Sequence, residues 1–328
     1  MRVTENTNYD TVRDSIRRTK ERMEGLQHQS ATLKKLNAPG DNPVGAAKVL
    51  EVRTDKVNND QFLMNAKLAA TFLENSDHAV GELSDIVARA KEIALGQSSG
   101  ASSNQDTRLG IAEEVTQLFQ QAVATGNRRV GDRYLFGGYK VNRPPVDQDG
   151  KYIGDDGQMM VEVTKDVFIS MNVPGDEIFN TNPEGLKQGS SMGGYEMATR
   201  GPAAEDSETA AQTMQPENTN IFDELQNLRI GLLTGDLDGI RSCLERFDDM
   251  HAKLIAQRAK IGSRLRGLET TNNALERTNI TNATLTSSIE DADMAQVVSE
   301  LAKEETVFRS ALQSAQKLVQ PTLMDFLR

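Results

Sequence analysis

Ser287-Ser288-Ile289-Glu290-Asp291-Ala292-Asp293-Met294-Ala295 leads into the stretch that decides the fold, which runs from Ile289 to Arg328. From Met294 the chain steps alternately by four and three through Met294, Val298, Leu301, Glu305, Phe308, Leu312, Ala315, Val319, Thr322 and Phe326, and eight of these ten are apolar. A helix repeats about every 3.6 residues, so a seam kept at about 3.5 stays on one face only if the helix winds around a partner. The stretch therefore asks for a partner helix. Ser287 and Glu290 read as a capping box for its start, with Asp291 adding negative charge near the positive end of the helix dipole. Pro321 predicts a kink or an end shortly before the last residue.

The first candidate partner lies at the other terminus. Val12, Ile16, Thr19, Met23, Leu26, Ser30 and Leu33 follow the same alternation, and five of the seven are apolar. Residues 1–36 carry eight Lys or Arg against five Asp or Glu, whereas residues 289–328 carry four against seven. Opposite net charges make the termini better suited to each other than to copies of themselves, although surface pairs are worth only about 0.5 kcal/mol each. An ordinary helical core that uses both ends would show similar seams, so periodicity alone leaves that reading open.

A chain of 328 residues can bury a substantial core. Aromatic residues make up 5% and Trp is absent, which suits helices packed through aliphatic side chains. A formal charge of −11 argues against a nucleic-acid partner, which needs a concentrated basic face. No run of eighteen apolar residues predicts a membrane span. The opening Met1-Arg2-Val3-Thr4-Glu5-Asn6 has no apolar signal region, so export is expected, if at all, by a route without a cleaved signal. Cys243 stands alone and is expected to be a small buried residue.

Between the termini, Pro39-Gly40 marks a turn, and Asn42 followed by Pro43 reads as an N-cap with proline at the first helical position. A long helix is predicted next, with a seam at Leu50, Thr54, Val57, Gln61, Met64, Leu68 and Thr71, resuming as Ala79, Leu83, Ile86, Ala90 and Ile93. A third helix, opened by Asn104 or Asp106, carries Ile111, Val115, Leu118 and Ala122. In Gly131-Asp132-Arg133-Tyr134-Leu135-Phe136-Gly137-Gly138-Tyr139 the aromatics concentrate and a glycine pair predicts a tight turn; no Gly-Lys-Ser/Thr follows to make it a phosphate loop. Residues 141–218 hold six of the nine prolines and fourteen acidic residues against five basic. Period-two runs there predict a small acidic β module standing out into solvent, with 181–218 as a long surface loop. After a helix at Ile221 to Leu233 comes the most regular seam, Leu237, Ile240, Leu244, Phe247, His251, Leu254, Arg258, Ile261, Leu265, Leu268, Asn272 and Leu275. Residues 270–288, with twelve Thr, Ser or Asn, read as a thin joint before the terminal helix.

Catalytic chemistry finds no carrier. His28, His78 and His251 lie far apart, and none belongs to a His-x-x-x-His or Cys-His cluster. The aspartates at 147, 149, 155 and 156 fail as a calcium loop, because Tyr152 stands where the turn glycine belongs and Gln158 where the bidentate glutamate belongs. No enzyme, cofactor or metal is expected.

The residues do carry a resemblance. Ser288 to Ala295 closely resembles the opening of the C-terminal region of bacterial flagellins, Ser310 to Leu327 its end, and the break at 37–43 with Val44-Gly45-Ala46-Ala47-Lys48-Val49-Leu50 the N-terminal region. Gly131 to Gly138 and Ile261-Gly262-Ser263-Arg264-Leu265 are similar to elements of one branch of that superfamily, the hook-associated proteins of the hook–filament junction. The resemblance implies a structural part of the extracellular bacterial flagellum, secreted through the flagellar type III apparatus with its terminal helices still disordered. It also implies the partners: copies of the chain, an adjacent hook-associated junction protein, flagellin, and a secretion chaperone on the C-terminal helix. A filament flagellin, or a cytoplasmic helical scaffold unrelated to flagella, remains the alternative.

The expected architecture is mainly α, an elongated helical rod and coiled coil built from both halves of the chain, with a small β-rich domain inserted in the middle. Residues 1–40 and 289–328 would form the terminal coiled coil, 41–140 and 219–288 the rod domain, and 141–218 the inserted domain. Assembly contacts are expected at Val12, Ile16, Met23, Leu26, Leu33, Met294, Val298, Leu301, Phe308, Leu312, Val319 and Phe326.

Overall fold

A computed structural model of the chain describes residues 5–98, 105–180 and 220–319, with side chains from Asp10 to Gln316 in those ranges. The elements in order are α1 (Glu5–Thr32), α2 (Pro43–Ser98), α3 (Gln105–Gly126), β1 (Arg129–Val130), β2 (Arg133–Tyr134), β3 (Met160–Thr164), β4 (Val167–Ser170), α4 (Gly175–Phe179), α5 (Ile221–Thr234), α6 (Leu237–Glu290) and α7 (Met294–Val319). The chain is mainly helical, and its described residues hold two small two-stranded sheets near the middle. Its backbone contacts gather into two compact units, Met1–Asp60 with Leu275–Arg328, and Gln61–Ala274.

The larger unit holds the main core. On α6, Ile240, Phe247, Leu254, Ile261 and Leu268 recur every seven residues and are all buried. Ala79, Leu83, Ile86 and Ala90 of α2 and Val115 and Ala122 of α3 belong to the same apolar cluster. Burying each large aliphatic side chain contributes about 1.5–3 kcal/mol, so this seam rather than helix propensity holds the bundle. Ion pairs flank it: Arg258 Nε lies 3.1 Å from Asp77 Oδ1, and Arg89 Nη2 2.8 Å from Glu114 Oε1. α5 is delimited locally, since Asn220 accepts from Phe222 N at its start and Gly235 takes φ +73° at its end.

The middle of the sequence does not stand apart. Phe179 of α4 packs 5.5 Å from Phe136 and 5.2 Å from Phe222, ring centre to ring centre, which ties the strand region to α5. Val163, Met171, Val173 and Ile178 join the helical core, and Asn65 Nδ2 of α2 donates to Glu162 O of β3 at 2.9 Å. The expectation of a module out in solvent gives way here because a two-stranded sheet needs an apolar backing to be stable. The acidic stretch 181–218 lies outside the described residues. In the Gly131–Tyr139 element, Leu135 and Phe136 plug the core. Gly138 has φ +67°, and a Cβ there would lie 1.9 Å from Asp155 Oδ1, so the paired glycines permit a close backbone approach.

Two further expectations are corrected. The stripe Leu50, Val57 and Met64 on α2 is open, at 62%, 67% and 68% exposure, while Val49 and Val52 in one unit and Ala66, Ala69, Phe72 and Leu73 in the other turn inward. Small residues let helices approach closely, and Ala66 and Ala69 supply such positions on the buried stripe beside Phe72 and Leu73. Residues 270–288 form no joint, because α6 runs unbroken to Glu290. Its hydroxyls are satisfied along the helix, Thr271 donating to Gly267 O at 3.0 Å and Thr284 to Ile280 O at 3.0 Å. Asn279 donates to Asp60 Oδ1 at 2.9 Å and accepts from Asn59 at 3.1 Å.

Candidate assembly interface

In the smaller unit α1 and α7 pack side by side. They run antiparallel: Arg22 Nη1 lies 3.5 Å from Glu304 Oε1, while Ala292 N donates to Leu33 O at 3.1 Å, so numbers rise along one helix as they fall along the other. The packed face of α1 comprises Val12, Ile16, Thr19, Met23, Leu26 and Ser30. Thr19 fits a buried position because its hydroxyl donates to Ser15 O at 3.0 Å. Val12, Ile16, Met23 and Leu26 remain only half-buried.

Leu33 leaves that face. It has φ +59° and is 57% exposed, because the backbone there turns left-handed and ends α1 instead of continuing the seam. On α7 the packed positions are Met294, Val297, Leu301, Glu304, Phe308, Ala311 and Ala315, a three-then-four alternation. Val298 and Leu312, expected on the seam, are 53% and 40% exposed, and Val307 is 44% exposed. Leu301 and Phe308 are half-buried. Val319 ends α7 with its side chain outside the described set, and Phe326 lies outside the described residues altogether. Val297, at 6% exposure, was missed because the phase that includes it also includes Glu304 and two alanines and so looks less apolar.

A charged cluster closes the pair at one end. Glu290, the last residue of α6, is 6% exposed. Its carboxylate accepts from Lys34 Nζ and, at 2.8 Å on each oxygen, from Arg53 Nη2 of α2. The Lys34 bond foremost, and then Arg53, hold its pKa below the usual carboxylate range against the opposing effect of burial. Its carbonyl accepts from Lys35 N at 2.7 Å. Asp293, rather than Ser287, caps α7, accepting from Ala295 N at 2.9 Å and Gln296 N at 3.3 Å. On the other side Asn42 caps α2, accepting from Gly45 N at 3.0 Å. No group of three or more potential metal ligands occurs among the described residues, and no described helix is long and apolar enough to cross a membrane.

Comparison with known proteins places this arrangement. Residues 3–140 match the bacterial flagellin N-terminal helical region and residues 244–327 the bacterial flagellin C-terminal helical region. The flagellar hook-associated protein 3 of Escherichia coli is 24% identical over 61% of this chain and 68% of its own length. A flagellin of Listeria monocytogenes is 22% identical over 94% of this chain and 92% of its own. The crystal structure of flagellar hook associated protein-3 from Legionella pneumophila shares the fold, with a TM-score of 0.58 and 16% identity over 74% of this chain and 98% of that one. Helical regions matched at both ends, and joined by a paired α1 and α7, mean that the chain belongs to the bacterial flagellin family.

Proposed function

We propose that the chain is a structural subunit of the bacterial flagellum, acting at the junction between hook and filament. It joins a neighbouring hook-associated protein to flagellin, and it assembles through its terminal helices. The observation that carries this reading is the unfinished burial of α1 and α7. Among the described apolar residues on their mutual face only Val297 is buried, and Val298, Val307 and Leu312 add an open stripe beside it. Two helices that cover each other so thinly are marginal in water, and further helices from copies of the chain would supply the missing burial. Marginal terminal helices also suit export of an unfolded subunit without a cleaved signal. A secretion chaperone that shields the C-terminal helix until export fits the same exposed stripe.

Similarity to hook-associated protein 3 supports the junction over the filament itself, as does the resemblance of Gly131 to Gly138 to the hook-associated branch. The test is Phe308→Asp in cells. The larger unit should fold normally while incorporation into flagella is lost, and normal filaments on cells carrying it would refute the assignment. Labelled chain should mark the base of each filament; label spread along its length would make the chain a filament flagellin.

A further inference from the structure

Beside its apolar seam α6 carries a second row, and this one is polar. Lys253, Gln257, Lys260 and Arg264 follow at intervals of four, three and four, so they share one face of the helix. Three of them hold the segment that leads from the end of β4 into α4. Gln257 Nε2 donates to Glu177 O at 3.2 Å, Lys260 Nζ lies 3.3 Å from Glu177 Oε2, and Arg264 Nη1 donates to Asn172 O at 3.3 Å. Lys253 holds nothing. Its Nζ is buried and makes neither a hydrogen bond nor an ion pair among the described residues, an arrangement that costs stability.

We infer that Asp176 is the missing partner of Lys253, that Asn180 withholds it, and that the carboxylate passes between the two as the end of α4 closes and opens. Asp176 is the acidic group that acts most on Lys253: burial pushes the ammonium down from its ordinary pKa, and Asp176, ahead of Glu177, opposes that. Its Oδ1 instead accepts from Asn180 Nδ2, one turn further on at the end of α4. Glu177 is already committed, since its two oxygens take Gln158 Nε2 and Lys260 Nζ, each at 3.3 Å.

The local structure makes the exchange cheap. α4 is a single turn of five residues whose start has no side-chain cap, and a turn of that length has no stability of its own. Its end rests on Asn180, which bridges backbone to backbone with Asn220. Both asparagines are buried, and they bracket residues 181–219. While the bridge is closed it keeps the Asn180 amide against Asp176. Once it opens, an ammonium in a water-poor site is the stronger partner for a carboxylate than an amide is. A change at the 180–220 bridge is thereby registered on α6 as a change of charge pairing. The inference concerns the larger unit alone and is independent of the junction reading.

Denaturant unfolding of the full-length chain tests it, with Lys253→Met introduced into two backgrounds. Met keeps the length and apolar stem of the side chain without the charge. In the otherwise wild-type chain the substitution removes an unpaired buried ammonium and should lower the unfolding constant by about fivefold. With Asn180→Ala, which releases Asp176, the same substitution deletes an ion pair and should raise that constant by about fivefold. Asn180→Asp keeps the shape but repels Asp176, and should serve as the second background in the same way. Adding Asp176→Asn to either should restore the first sign. Nuclear magnetic resonance of isotope-labelled lysine gives a separate reading: hydrogen exchange of the Lys253 ammonium should slow in Asn180→Ala, and Asp176→Asn should cancel the slowing. The inference is overturned if Lys253→Met acts with one sign in all backgrounds, if the reversal survives Asp176→Asn, or if the ammonium exchanges equally fast with and without Asn180.

Discussion

Val297 and Val298 are neighbours in sequence, yet the structure assigns them opposite fates, so truncating each to alanine separates the packed phase of α7 from the one with the higher apolar count. Val→Ala removes two methylene equivalents, about 1.6 kcal/mol if both are fully buried, at about 0.8 kcal/mol each. Val297 is 6% exposed and should lose nearly all of that; Val298 is 53% exposed and should lose about half. Alanine also has the better helix propensity, by about 0.6 kcal/mol, which offsets part of either loss. The net cost is then about 1 kcal/mol for Val297→Ala and close to zero for Val298→Ala. Amide exchange in α7 reads this directly, as roughly fivefold faster opening for the first and a change within about twofold for the second. In assembly the order should reverse, because Val298 faces outward and is available to a neighbouring copy. Equal exchange effects, or a larger effect from Val298, would refute the packed phase described here.

Leu254→Ala, on the buried seam of α6, should lower the unfolding free energy of the larger unit by about 3 kcal/mol, seen as a fall in the denaturant midpoint. Met64→Ala on the open stripe of α2 should leave that midpoint unchanged. Acid should act on the two units with opposite signs. Glu290 has its pKa lowered, foremost by the Lys34 bond, so its contribution is present above the unfolded carboxylate value and is lost as pH falls through the folded one. Glu224 is buried between α5 and α6, 3.0 Å from Arg246 Nε, and burial raises its pKa despite that partner; its ionisation penalty at neutral pH is relieved as pH falls. Exchange measured down the carboxylate range should therefore show the backbone around Lys34 and Glu290 opening before α5, and the reverse order would refute the sign assigned to either group.

How much of this was legible in the sequence depended on whether apolar bulk and packing coincided. On one row of α6 they do, since the positions that recur every seven residues from Ile240 to Leu275 are apolar and buried; on the other row the expected Leu244, His251 and Leu265 are only half-buried and Arg258 is exposed, while Cys243, Met250 and Gln257 are the buried ones. On α2 they do not, since Leu50, Val57 and Met64 are bulkier than the Ala66 and Ala69 that actually face the core. A periodicity count weighs a leucine above an alanine, but close helix approach favours the alanine. α7 repeats the lesson, with Ala311 and Ala315 in the packed phase and Leu312 outside it. Leu33 was misplaced for another reason, because a left-handed leucine leaves no signature in a seam and only the strap to Ala292 shows why the helix must stop there. Glu290 could be read as charge at a helix boundary but not as a hub, because its cations come from residues 34 and 53, far away in sequence.

The two apolar stripes of α7 explain why the terminal pair is built to stay incomplete. Had Val298, Val307 and Leu312 been polar, α1 would cover all the apolar surface α7 offers, and the pair would have nothing left to present. Had they been buried by a third helix of the same chain, the terminal unit would fold to completion before export. Leaving about half of three aliphatic side chains open withholds roughly 1 kcal/mol from each, a total comparable with the stability of a short helix pair. Neighbouring copies that cover this stripe would return that energy only on assembly.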